Sequence, residues 1–169
     1  MRFKFIFKGK SLRGFTLIEV LVYIGVLLII VSALSYFMIW SIRSAAKIKT
    51  MREVSYNARR AIETMTHGIR EAENVSTSST AASLFLEKTD GTIIDFYLAS
   101  STLYHKEGLQ NPFALTSDHV EVKNLEFLQV GSTTPSVRIT LRIDYKNPLN
   151  LPQYQSWINV TSTASLRHY

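Results

Sequence analysis

Residues Phe15–Trp40 read FTLIEVLVYIGVLLIIVSALSYFMIW, an apolar run whose one charged residue is Glu19. As an α-helix rising 1.5 Å per residue, this run is about 39 Å long, enough to cross a hydrocarbon layer of about 30 Å. Arg2, Lys4, Lys8, Lys10 and Arg13 precede it, and no acidic residue does. Lys and Arg beside a span tend to stay on the cytoplasmic side. The pattern predicts a single pass with the N-terminus cytoplasmic and the remainder extracytoplasmic. The formal net charge of +6 is concentrated in that flank, and the rest of the chain is nearly neutral. A near-neutral remainder lacks the basic face that nucleic-acid binding usually requires. There are no cysteines, which excludes disulfides, Cys-ligated zinc and thiol catalysis.

Three readings of the N-terminal segment compete. In the first it is a cleaved secretory signal, with Ser44-Ala45-Ala46 as small residues for a peptidase. Its apolar run is longer than the usual core of about 7–15 residues. In the second it is a plain signal anchor, which accounts for the basic flank and the span but not for Glu19. A carboxylate in a span costs several kcal/mol unless paired, although a position near the edge can reach water. The third reading rests on the order Arg13-Gly14-Phe15-Thr16-Leu17-Ile18-Glu19-Val20-Leu21 after a short basic leader. This order resembles the class III signal of type IV pilins and type II secretion pseudopilins.

That resemblance implies processing and assembly. A prepilin peptidase/N-methyltransferase would cut after Gly14 on the cytoplasmic side and methylate the new N-terminus at Phe15. Glu19 would pair with the N-terminus of a neighbouring subunit and set axial register. An ammonium at Phe15 and a carboxylate at Glu19 are each costly in apolar surroundings and cheaper together. A small Gly14 would let a peptidase backbone approach closely. The implied partners are other pilin or pseudopilin subunits, the processing enzyme, the inner membrane and an assembly platform. The implied location is the inner membrane and then a filament.

Beyond Trp40 the apolar character narrows to a stripe. Met51, Val54, Ala58, Ala61, Met65, Gly68 and Ala72 follow one another at spacings of three and four, with Ile62 and Ile69 alongside. Arg52, Glu53, Arg59, Arg60, Glu63, His67, Arg70 and Glu71 take the other side. This is the pattern of an amphipathic helix. No proline occurs before Pro112, so one helix from about Phe15 to about Asn74 is expected. Major pilins often carry a proline in the stem; here there is only Gly25.

Ser76–Ser83 reads as a polar linker, and strands are expected after it. Ser83–Lys88 and Thr92–Ala99 flank Thr89-Asp90-Gly91, a hairpin signal. Thr102–Lys106 is a short strand. Val120–Val130 needs a bulge near Lys123–Asn124 to bring Val122 and Leu125 into phase. In Val137–Lys146, apolar and polar residues alternate strictly, as in an antiparallel sheet with one wet face. Ser156–Leu166 closes the chain.

The fold class is therefore α+β: a pilin-like ladle, with the second half of the helix packed on a C-terminal antiparallel sheet. The expected organisation is a leader over 1–14, a transmembrane and filament-core helix over 15–40, its amphipathic continuation over 41–74, and the sheet domain over 75–169. Tyr23, Arg59-Arg60 and the ending Ser165-Leu166-Arg167 resemble minor members of the J or W sort.

No catalytic, cofactor or metal site is expected. His67, His105, His119 and His168 lack metal-ligand spacing. Asp90-Gly91 lacks the further acids of a calcium loop and fits a turn. Asp118 and Glu121 flank His119, but no nucleophile accompanies them. Arg138, Arg142 and Lys146 form a basic row on the wet face. They leave open a membrane-anchored binding module, for DNA uptake or adhesion, and a plain signal-anchored domain is a further alternative.

Overall fold

The computed structural model describes residues 14–77, 82–130 and 136–166. The basic leader before Gly14, half of the expected linker (78–81), Gly131, Arg167 and His168 lie outside the described residues. One long helix, α1 (Leu17–Glu71, 55 residues), is followed by antiparallel β-sheets, an α+β arrangement. The chain falls into two compact units, one ending at Ile42 and one beginning at Arg43.

In the first unit the helix is exposed all round. Leu21, Leu27, Ile29, Leu34 and Phe37 each leave more than half their surface uncovered, and no other element covers them. Two of its serine hydroxyls are satisfied internally. The Ser32 Oγ donates to the Leu28 carbonyl at 2.7 Å, and the Ser35 Oγ to the Val31 carbonyl at 2.9 Å. Such back-bonding lets a serine sit in an apolar helix without an orphan donor.

In the second unit α1 buries Val54, Ala58, Ala61, Met65, Gly68 and Ile69, the expected stripe. Met51, which the spacing also placed on it, stays 42% exposed. Thr50 and Asn57 are buried instead, because each finds a polar partner. Thr50 Oγ1 lies 2.7 Å from Ser156 Oγ, and Asn57 Oδ1 accepts from the Ser117 amide at 2.8 Å. The Lys47 ammonium donates to the Gln155 carbonyl. These contacts fasten the helix to loops on the sheet side.

The helix stops at Glu71, short of Asn74, and runs straight into a strand, β1 (Ala72–Thr77). Asn, Val, Ser and Thr in succession are poor helix formers, and pairing with the next strand supplies their backbone bonds. The residue pattern there suits a helix end and linker, and the pairing with the next strand overrides it. The sheet is β1-β2-β3-β4-β5, with β2 (Ser83–Lys88), β3 (Ile93–Ala99), β4 (Thr102–Glu107) and β5 (Phe113–Ala114). Gly91, at φ 79°, makes the β2–β3 turn, where Asp90 Oδ1 accepts from the Thr92 amide at 2.9 Å.

The expected single sheet is in fact two. β6 (Val120–Val130), β7 (Ser136–Tyr145) and β8 (Trp157–Ser165) form a second, antiparallel one. The ladder breaks after β5 because Leu115 and Thr116 turn inward, and Thr116 Oγ1 takes the Leu103 amide at 3.2 Å. The Val122 amide still reaches the Ser101 carbonyl at 2.8 Å, so the sheets abut there. The register shift of β6 falls between Val122 and Asn124, where the phase conflict required it. Val137, Ile139, Leu141 and Ile143 of β7 are fully buried. They share one core with Leu84, Leu86, Phe96 and Leu103 of the first sheet and with the α1 stripe. Each such side chain contributes roughly 1.5–3 kcal/mol by leaving water.

Two expected outcomes follow from the packing. A Cβ on Gly68 would lie 3.2 Å from Phe96 Cε2 and 3.4 Å from Leu86 Cδ1. Gly68→Leu should therefore destabilise the domain by about 1–3 kcal/mol through overpacking, measured by denaturant unfolding, and an unchanged midpoint would contradict the close approach. His105 sits between Phe96 and Phe113, at ring distances of 4.9 and 4.8 Å, and burial holds its pKa below the ordinary 6.5. The folded chain keeps this imidazole neutral while the unfolded chain protonates it. Its contribution is thus full above pH 6.5 and declines as pH falls through 6.5 toward the lower folded value. His105→Phe should flatten the loss of thermal stability between about pH 7 and 5.

Candidate processing and assembly site

The start of α1 is built by Thr16. Its carbonyl accepts the amides of Glu19 and Val20 at 3.1 and 3.2 Å, and its Oγ1 lies 3.3 Å from the Glu19 amide. A threonine that takes the amide three residues on is an N-cap, and Thr16-Leu17-Ile18-Glu19 has the spacing of a capping box. The Glu19 side chain does not close that box. It turns up the helix, and its Oε1 accepts from the Tyr23 hydroxyl at 2.9 Å. The first turn of a helix also favours a negative charge at Glu19 through the macrodipole.

Gly14 and Phe15 precede the helix in non-helical backbone. A Cβ on Gly14 would meet nothing within 4 Å, so nothing in this chain's own packing demands glycine there. The Phe15 ring lies edge-on to Tyr23, with centroids 6.4 Å apart. Phe15, Glu19 and Tyr23 are thereby gathered on one patch at the helix start. The role of Tyr23 was missed by reading the sequence, although a hydroxyl four residues after a carboxylate is a legible helical pair. The cap at Thr16 was equally legible in its spacing.

Other residues considered for chemistry are accounted for by structure. His119 Nδ1 contacts Asp118 Oδ1 at 2.6 Å, and this hydrogen bond lowers the Asp118 pKa. Both side chains are well exposed, and neighbouring Ser117 is engaged with Asn57. Arg142 is held by Asp144 at 3.0 Å and lies 5.1 Å over the Trp157 ring. The expected basic row is thus partly neutralised. Lys88 bonds Glu107 at 2.6 Å; this contact raises the lysine pKa and lowers the carboxylate's. Among the described residues, no three His, Cys, Asp or Glu side chains gather where a metal could be held.

Among the described residues, one helix is long and apolar enough to cross a membrane, as suits a membrane-anchored protein. Residues 10–35 match the family model of the prokaryotic N-terminal methylation motif. No curated protein and no solved structure matches the chain. The matched segment contains Gly14, Phe15, Glu19 and Tyr23, and the match supports a type IV pilin-like class III signal.

Proposed function

We propose that this chain is a structural subunit of a type IV pilus or a type II secretion pseudopilus, a minor pilin or pseudopilin. It is cut after Gly14, N-methylated at Phe15 and assembled through the first half of α1. The reading is carried by one conjunction: the segment matched by the methylation motif, residues 10–35, runs into a helix whose apolar surface the described residues leave uncovered. Such a surface is stable first in lipid and then against the stems of other subunits. The sheet domain over 75–169 would be displayed outside the inner membrane, and the neighbouring subunits, the processing enzyme and the assembly platform are its partners. Glu19 takes the α-ammonium of the next subunit, an exchange favoured because each charge is costly alone in an apolar layer.

Intact-mass and N-terminal analysis after co-expression with a prepilin peptidase tests the processing. The expected product begins at Phe15 with one added methyl group. Retention of the segment before Gly14, or a cut near Ala46, would defeat the reading. Glu19→Val should insert and be cut normally, yet enter filaments about tenfold less, since an unmatched ammonium remains in the apolar layer. Undiminished incorporation of that variant, measured in sheared filament fractions, would remove the ion pair from the account.

A further inference from the structure

We infer that Tyr23 is a positioning residue for Glu19, holding its carboxylate aimed within the apolar stem so that a cation can be received. The inference rests on the filament reading above and extends it to a residue that the reading does not use. It is carried by the 2.9 Å hydrogen bond from the Tyr23 hydroxyl to Glu19 Oε1.

A lone carboxylate in hydrocarbon surroundings tends to take up a proton, because burial disfavours its charged form. A neutral carboxyl has little attraction for an ammonium. A hydroxyl that donates to the charged form opposes this. Tyr23 is suited to the task by its place one helical turn on, which lets it reach Glu19 without bending the helix. The carboxylate has two oxygens, so a donor on Oε1 leaves Oε2 for a second partner. The Thr16 cap and the helix N-terminus work in the same direction by fixing the first turn and favouring negative charge. Phe15 lies against the same ring, so the residue that a cut after Gly14 would make N-terminal shares the patch with its acceptor. In this arrangement Tyr23 and the incoming ammonium do not compete; the first prepares the carboxylate for the second.

Tyr23→Phe removes the hydroxyl and keeps the ring that Phe15 packs on. The full chain is placed in lipid vesicles with carboxyl-labelled glutamate, and Glu19→Gln identifies the Glu19 signal in carbon NMR. The expected result is a displaced Glu19 carboxyl carbon signal in Tyr23→Phe, because the hydrogen bond to Oε1 is lost. Incorporation into filaments should fall several-fold, while cleavage after Gly14 stays normal. Tyr36→Phe, farther along the stem, should change neither quantity. An unmoved Glu19 signal or undiminished incorporation, with normal cleavage, overturns the role of Tyr23 alone. Failure of the unaltered chain to be cut after Gly14 instead overturns the filament reading beneath it.

Discussion

An apolar helix surface must be covered by something, and the described residues of this chain do not cover the first part of α1. From Leu17 to Ile42 the residues of α1 are almost all exposed. In water such a surface would drive aggregation; in lipid it is satisfied, and against other helices of the same kind it is satisfied again. The hydroxyls of Ser32 and Ser35, each bonded back to a carbonyl one turn below, fit the same constraint. So does the absence of proline, since every backbone amide in the run can keep its helical bond.

The second part of α1 obeys a different rule. There the apolar residues contract to a stripe of small and medium side chains, with Ala58, Ala61 and Gly68 allowing close approach to the sheets. The polar residues Thr50 and Asn57 are buried in the same face, at no orphan cost, because loop groups of the sheet side meet them. One helix therefore serves two solvents. Its sequence changes from apolar all round to amphipathic, and the boundary of the compact unit at Arg43 falls near that change.

Much of this was legible in the sequence because it follows from periodicity. The 3.6-residue stripe, the strict alternation of β7 and the Asp90-Gly91 turn are local patterns, and each has a local physical cause. The bulge at Val122–Asn124 was legible because two apolar residues fell out of phase on one strand. What escaped depends on partners distant in sequence. β1 has no pattern of its own and exists by pairing with β2. The split into two sheets depends on Thr116 replacing a backbone acceptor for Leu103. The burial of Asn57 depends on Ser117, sixty residues on. In the N-terminal segment, the roles expected of Gly14, Phe15 and Glu19 rest on the order of residues around them, whereas that order gives Tyr23 no role. Its meaning needed the geometry of one hydrogen bond.

That bond bears on how a charged group is tolerated in a span at all. The usual solutions are water at the membrane edge, a fixed counter-ion or protonation. Water weakens the attraction that a later cation would feel, a fixed counter-ion occupies the carboxylate, and protonation cancels its charge. A neutral donor on one oxygen does none of these. It offsets part of the cost of the charge, leaves the charge in place and leaves the second oxygen open. On the proposed filament reading, in which the subunit waits in lipid and then accepts an ammonium, a tyrosine one turn from the glutamate meets both requirements with a single side chain.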